Sequence, residues 1–174
     1  MIIAVHPASA AARGVVITRD WTPPFRSNDT LTLDANTLLP IRETLHFNGA
    51  VRTYEYAGRR VTGTIAAPDS APQAFDATYD EPVFAFNEVE PLVRSLDYRA
   101  GLQIVVPLFS EVDHAVEHDT LRVLSHDAEH GAWIVEFADP VITTRYTVDA
   151  ATRTLRDAVT RQRKSGLEVL YRYR

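Results

Sequence analysis

The sequence predicts a mostly β fold: a strongly curved antiparallel sheet, or half-barrel, of about eleven strands with one amphipathic helix on its concave side. Three observations carry this. Apolar and polar residues alternate with period two along most of the chain, turn residues recur at roughly eight- to twelve-residue spacing, and a single segment switches to the helical period. The pattern has no strand–helix–strand rhythm, so neighbouring strands are expected to run antiparallel. One helix cannot cover so wide a sheet on both sides, and a sheet rolled around it gives its apolar stripe a partner. A closed barrel or a two-sheet sandwich would leave that stripe less to bury.

At the amino end, Met1–Val5 is a short apolar run followed by His6, Pro7 and the small residues Ala8, Ser9, Ala10, Ala11 and Ala12. Small residues ahead of a cleavage point suit an export signal, but a positive leader and a roughly 7–15-residue apolar stretch are both missing. Residues 1–14 are therefore expected to be a flexible or truncated segment, with a single curved-sheet domain over 15–174. Val15–Trp21 and Thr30–Asp34 read as strands, parted at Thr22, Pro23 and Pro24 because no central strand holds such a break. Leu39, Ile41, Leu45 and Phe47 share one face of the next strand; Asn48 and Gly49 supply the turn, and Val51–Tyr56 returns. A turn at Ala57 and Gly58 leads into Arg60–Ala66, and Gln73–Asp80 makes a further strand ending at Pro82. Val89, Leu92, Val93 and Leu96 then fall at helical spacing. Asn87 and Glu90 have capping-box spacing and put Pro91 in the first turn, so the helix is expected near 87–97. Strands resume as Leu102–Phe109, Ala115–Leu124, Ala132–Phe137, Val141–Val148, Thr154–Gln162 and Leu167–Tyr173. In the last, Leu167, Val169, Tyr171 and Tyr173 face one side and Glu168, Leu170, Arg172 and Arg174 the other.

Composition narrows the chemistry. The 174 residues include no cysteine, which removes disulfides, zinc–thiolate and iron–sulfur sites and thiol nucleophiles together. No apolar run approaches the roughly 18 residues of a membrane span, so no transmembrane segment is expected. A net charge of −5 argues against nucleic acid, whose phosphates demand a dense field of Lys and Arg. That charge is unevenly spread: residues 141–174 sum to +5, leaving −10 for the 140 before them. Either acidic and basic strands pair across a sheet, or a basic edge meets anionic headgroups or an acidic partner.

His114, His118, His126 and His130 lie among Asp113, Glu117, Asp119, Asp127 and Glu129. On a strand, residues i and i+4 are about 13 Å apart, too far to share one ion. A metal site would have to join histidines across a hairpin, His118 with His126 or His130; the alternative is solvated side chains at a hairpin mouth. No serine sits in a nucleophile elbow, and Ser125, His126 and Asp127 are neighbours whose side chains splay apart. The carboxylate pairs Glu88/Glu90 and Asp80/Glu81 read as exposed charges, and no Gly-rich phosphate loop is present. The reading thus leans away from an enzyme, with no catalytic residue and no cofactor. Tyr54, Tyr56, Trp133, Phe137, Tyr146, Tyr171 and Tyr173 lie on strands expected to be adjacent or facing. They either pair within a core or line a cavity closed by Leu92, Val93 and Leu96. On the cavity reading the ligand-binding residues are Tyr54, Tyr56, Leu92, Val93, Leu96, Trp133, Phe137, Tyr146 and Tyr171.

The stretch Leu33-Asp34-Ala35-Asn36-Thr37-Leu38-Leu39-Pro40, then Tyr54-Glu55-Tyr56-Ala57-Gly58-Arg59-Arg60-Val61-Thr62-Gly63, then a helix and a long strand meander, resembles uncharacterised bacterial cell-envelope proteins. These are similar to the lipoprotein-localisation carriers, in which a half-barrel sheet wraps helix. Val148-Asp149-Ala150-Ala151-Thr152-Arg153-Thr154-Leu155 looks like a later strand–turn–strand of the same family. The resemblance covers residues 30–174, and its motifs are structural turns. This chain departs from it in having one helix and no recognisable export or lipoprotein signal. The resemblance implies a cavity for acyl chains, a periplasmic or envelope location, and no catalytic residue. The expected function is a non-catalytic carrier for a lipid-like or other apolar ligand, with an envelope protein as a further partner. The alternatives are a structural accessory subunit that uses an edge strand or its basic carboxy-terminal face, and a metal-dependent enzyme at the His-rich hairpin.

Overall fold

Period-two alternation becomes strand wherever the sequence carries it. The structure, a computed structural model, describes residues 2–7, 14–20, 27–47 and 49–173. Among these lie fourteen strands and one short α-helix, divided between two units, Met1–Glu88 and Val89–Arg174. In the first unit β1 (Ile2–Pro7), β2 (Gly14–Asp20), β3 (Ser27–Asp34), β4 (Pro40–Phe47), β5 (Ala50–Ala57), β6 (Arg60–Ala66) and β7 (Gln73–Thr78) form one antiparallel sheet in chain order. The two-residue β8 (Phe84–Ala85) and a 3-10 turn (Phe86–Glu88) follow in the chain, outside that sheet. In the second unit the helix α1 (Val89–Ser95) precedes β9 (Gln103–Phe109), β10 (Val116–Asp127), β11 (Ala132–Ala138), β12 (Ile142–Asp149), β13 (Leu155–Gln162) and β14 (Glu168–Arg172). These six strands are again antiparallel and in chain order.

The mostly β class therefore stands, but the strands number fourteen in two sheets where about eleven in one were expected. The meander is interrupted after β7, where Pro82, Pro91 and the helix replace a tight turn, so the hairpin-by-hairpin pairing cannot run on. Ile2–Pro7, read as part of a loose segment, pairs with β2. Ala8 to Ala12, the break at Thr22, Pro23 and Pro24, and Asn48 of the expected turn lie outside the described residues.

Register fixes which side chains share a face. Across the first sheet Ile17, Leu31, Glu43, Tyr54, Gly63 and Phe75 stand opposite one another in turn. Gly63 leaves room for the Tyr54 ring: a Cβ there would lie 2.9 Å from that ring and 2.2 Å from the Thr53 carbonyl oxygen. Tyr54 in turn meets Phe75 edge-on at 6.0 Å. Across the second sheet Val123, Val135, Tyr146, Ala158 and Tyr171 align, flanked by Leu121, Phe137, Thr144 and Thr160. Bulges interrupt the ladders at Thr32/Leu33, Val123/Ser125 and Thr147/Val148, and each sharpens the local twist.

Four loops repeat one geometry. Asp34, Ser110, Asp149 and Gln162 each donate their N–H to the carbonyl five residues on and accept from the N–H four residues on. The fourth position then has positive φ: Leu38 60°, His114 53°, Arg153 60°, Gly166 70°. In two of them an aspartate completes the turn. Asp34 Oδ1 accepts from the N–H groups of Asn36 and Thr37 and from the Thr37 hydroxyl, and Asp149 Oδ1 does the same with Ala151 and Thr152. The helix start differs from the expected capping box. Glu88 Oε2 accepts the Ala85 N–H at 3.1 Å, so helical turning begins before Asn87, whose amide donates instead to Glu43 Oε1 at 2.8 Å.

Candidate functional site

Side chains converge most densely in the second unit, where α1 and the residues after it meet the second sheet. The sequence places Arg94 in the last turn of α1 and Arg153 at the positive-φ corner of the β12–β13 loop. Arg94 Nε donates to the Arg153 carbonyl at 3.1 Å, and Arg153 Nη1 donates to the Leu96 carbonyl at 2.6 Å. The second bond satisfies a carbonyl just past the end of the helix, and the first ties the helix's last turn to the β12–β13 loop. The Arg153 guanidinium lies 4.2 Å from the centre of the Tyr98 ring, Tyr98 stacks on Trp133 of β11 at 5.6 Å, and Trp133 meets His126 of β10 at 4.4 Å. The Tyr98 hydroxyl donates to the Val93 carbonyl at 2.6 Å. At the other end of α1, the Tyr173 hydroxyl donates to Glu90 Oε1 at 2.6 Å. Helix α1 is thus tied to the second sheet near both of its ends by side chains alone.

Burial raises the pKa of Tyr98, partly offset by the Arg153 charge, and raises that of Tyr171, with Glu90 adding to it. Both phenols therefore stay neutral across the physiological range.

The expected ligand residues divide between the units. Tyr54 and Tyr56 belong to the first sheet and are buried; the Tyr56 hydroxyl donates to Glu43 Oε2 at 2.9 Å. Leu92, Val93, Leu96, Trp133, Phe137, Tyr146 and Tyr171 belong to the second unit. Of these, Val93, Phe137 and Tyr146 are almost wholly enclosed, and Trp133 and Tyr171 are half-buried.

The histidines do not gather. Among the described residues no group of three or more His, Asp or Glu side chains is placed to hold a metal ion. Strand β10 runs on to Asp127, so His118 and His126 share one strand eight positions apart, about 26 Å of extended chain. His130 Nδ1 is 2.8 Å from Asp127 Oδ2, whose pKa is lowered chiefly by the His130 backbone N–H.

Buried carboxylates are what sequence reasoning missed. Glu43 is fully enclosed, and Glu88, expected as an exposed helix-start charge, is enclosed too because it turns back onto Ala85. Asp119 is 3% exposed and its Oδ2 has no hydrogen-bond partner among the described residues. Its pKa is pushed up to about 6, first by burial and then by the charges of Asp139 and Glu117, with His118 pulling the other way. The signal was present: Glu43 falls between Ile41 and Leu45, and Asp119 two before Leu121, each in phase with an apolar series.

Comparison of the chain with protein-family models, with curated proteins and with solved structures finds no match in any of the three. No helix of the described residues is long and apolar enough to cross a membrane.

Proposed function

We propose that the protein is a non-catalytic binding module for an apolar, acyl-chain-like ligand in the bacterial envelope, with α1 acting as a strap over a curved second sheet. The observation that carries this reading is the pair of side-chain ties, Arg153 to the Leu96 carbonyl and Tyr173 to Glu90, at the two ends of a helix whose Val89, Leu92 and Val93 are buried. Such ties break and reform without disturbing any β ladder. Lifting the strap would bare Leu92, Val93 and Leu96 together with Phe137 and Tyr146, and an acyl chain would replace those contacts at about 25 cal/mol per Å² of apolar surface. Trp133 and Tyr171, half-buried, form the rim at which a ligand would first make contact. Bulges at Val123/Ser125 and Thr147/Val148 favour the curvature that such a cup requires. The turn motifs read from the sequence as resembling those of carrier-like envelope proteins point the same way.

The test uses palmitate as probe and Trp133 as reporter, in a Trp21→Phe background. Titration should quench or shift Trp133 emission saturably, and Arg153→Ala should speed uptake several-fold by loosening the strap. Flat titrations in both proteins, with a bare mass by native mass spectrometry after mild extraction, would refute the carrier reading.

A further inference from the structure

The β13–β14 hairpin is unlike the rest of the second sheet. Residues 161–170 are all exposed, and the hairpin carries large apolar side chains on both of its faces. Register sets Leu167 and Val169 on the face of Ala158 and Tyr171, with Leu167 62% exposed. On the opposite face, Leu170 is 55% exposed, and Val141 is 60% exposed where its carbonyl accepts the Arg163 N–H at 2.9 Å. Interleaved with these residues are Arg161, Arg163, Lys164 and Arg172; of the hairpin's two acids, Asp157 stands opposite Arg172 and Glu168 sits 3.9 Å from Arg161.

We infer that this hairpin is a docking element for an anionic lipid bilayer surface, entering the headgroup layer edge-on. Two observations select this occupant. A folded protein partner would cover one face of the hairpin, whereas a soft medium takes up apolar side chains on both faces at once. The cations are complementary to anionic headgroups, and in a chain of net charge −5 they orient the molecule, because the remainder is repelled. Docking of this kind does not depend on the strap or on any bound ligand.

The experiment is flotation of the full chain with vesicles of phosphatidylcholine alone or mixed with phosphatidylglycerol. The chain should float only with the mixed vesicles and be released by high salt. Leu167→Trp should show blue-shifted emission on binding, and Leu167→Asp with Leu170→Asp should weaken partitioning by more than about tenfold. All these positions are exposed, so folding is expected to persist, and circular dichroism checks it. Equal flotation of the double aspartate variant would overturn insertion. Failure to float with mixed vesicles, with or without a concentration-dependent rise in mass by light scattering, would overturn the docking assignment; the rise would give the edge of β14 to a second copy instead.

Discussion

Glu43 and Asp119 occupy equivalent places, each an acid on the buried face of a sheet, yet their surroundings differ. Glu43 accepts a phenol and an amide on its two oxygens, so its enclosure is compensated. Asp119 has no such partner for Oδ2, and it feels the charge of Asp139, which follows the Thr120–Ala138 pair and whose Oδ1 already accepts the Val141 and Ile142 N–H groups at 2.6 Å. The folded carboxyl therefore binds its proton more tightly than the unfolded one, which titrates near 4. Folding gains from this below about pH 4, and the gain fades as pH rises through about 6. Asp119→Asn should flatten that dependence and raise stability at neutral pH by on the order of 2 kcal/mol. Urea unfolding across that window checks it; an Asn variant with an unchanged pH profile would show that Asp119 does not titrate there.

At the scale of elements, the loops set register. Asp34 and Asp149 build matching turns from matching sequence, Asp-Ala-x-Thr, and each turn adjoins a bulge. Arg156 adds a further bond to Asp149 at 2.6 Å and holds its carboxyl well below the usual range. A side chain with positive φ is strained, and Leu38, His114 and Arg153 tolerate it because the strands on either side dictate the turn. Gly131 offers a clean measure of that strain: its φ is +58° and a Cβ there would meet nothing within 4 Å. Gly131→Ala should lower stability by about 1 kcal/mol through backbone conformation alone. Thermal melts of the pair give the value, and equal melting temperatures would mean the β10–β11 loop relaxes out of the left-handed region. The capping box shows the limit of local reading, since Asn87 and Glu90 have the right spacing but are engaged by Glu43 and Tyr173.

In the whole molecule every ladder described joins strands adjacent in the chain, so long-range order is assembled from short loops. Protection against hydrogen exchange should then follow distance from the sheet margins. Central β11 and β12 are expected to exchange slowest and β14, almost wholly exposed, first. Exchange read by mass spectrometry tests this, and slow exchange in β14 would mean that something covers it in solution. Most strand positions, though not β1 or β8, most turns and the helix were legible in the sequence because alternation and turn chemistry act over a few residues. The division into two sheets was not, since it depends on where a meander stops rather than on any one strand's pattern. Nor was the enclosure of Glu43, Glu88 and Asp119, or the stack from Arg153 through Tyr98 and Trp133 to His126. By itself the sequence determined the strands, because period and turn type are local properties of the backbone. Only the tertiary structure decided which side chains meet, because the partners, such as Glu90 and Tyr173, lie 83 residues apart and no spacing rule connects them.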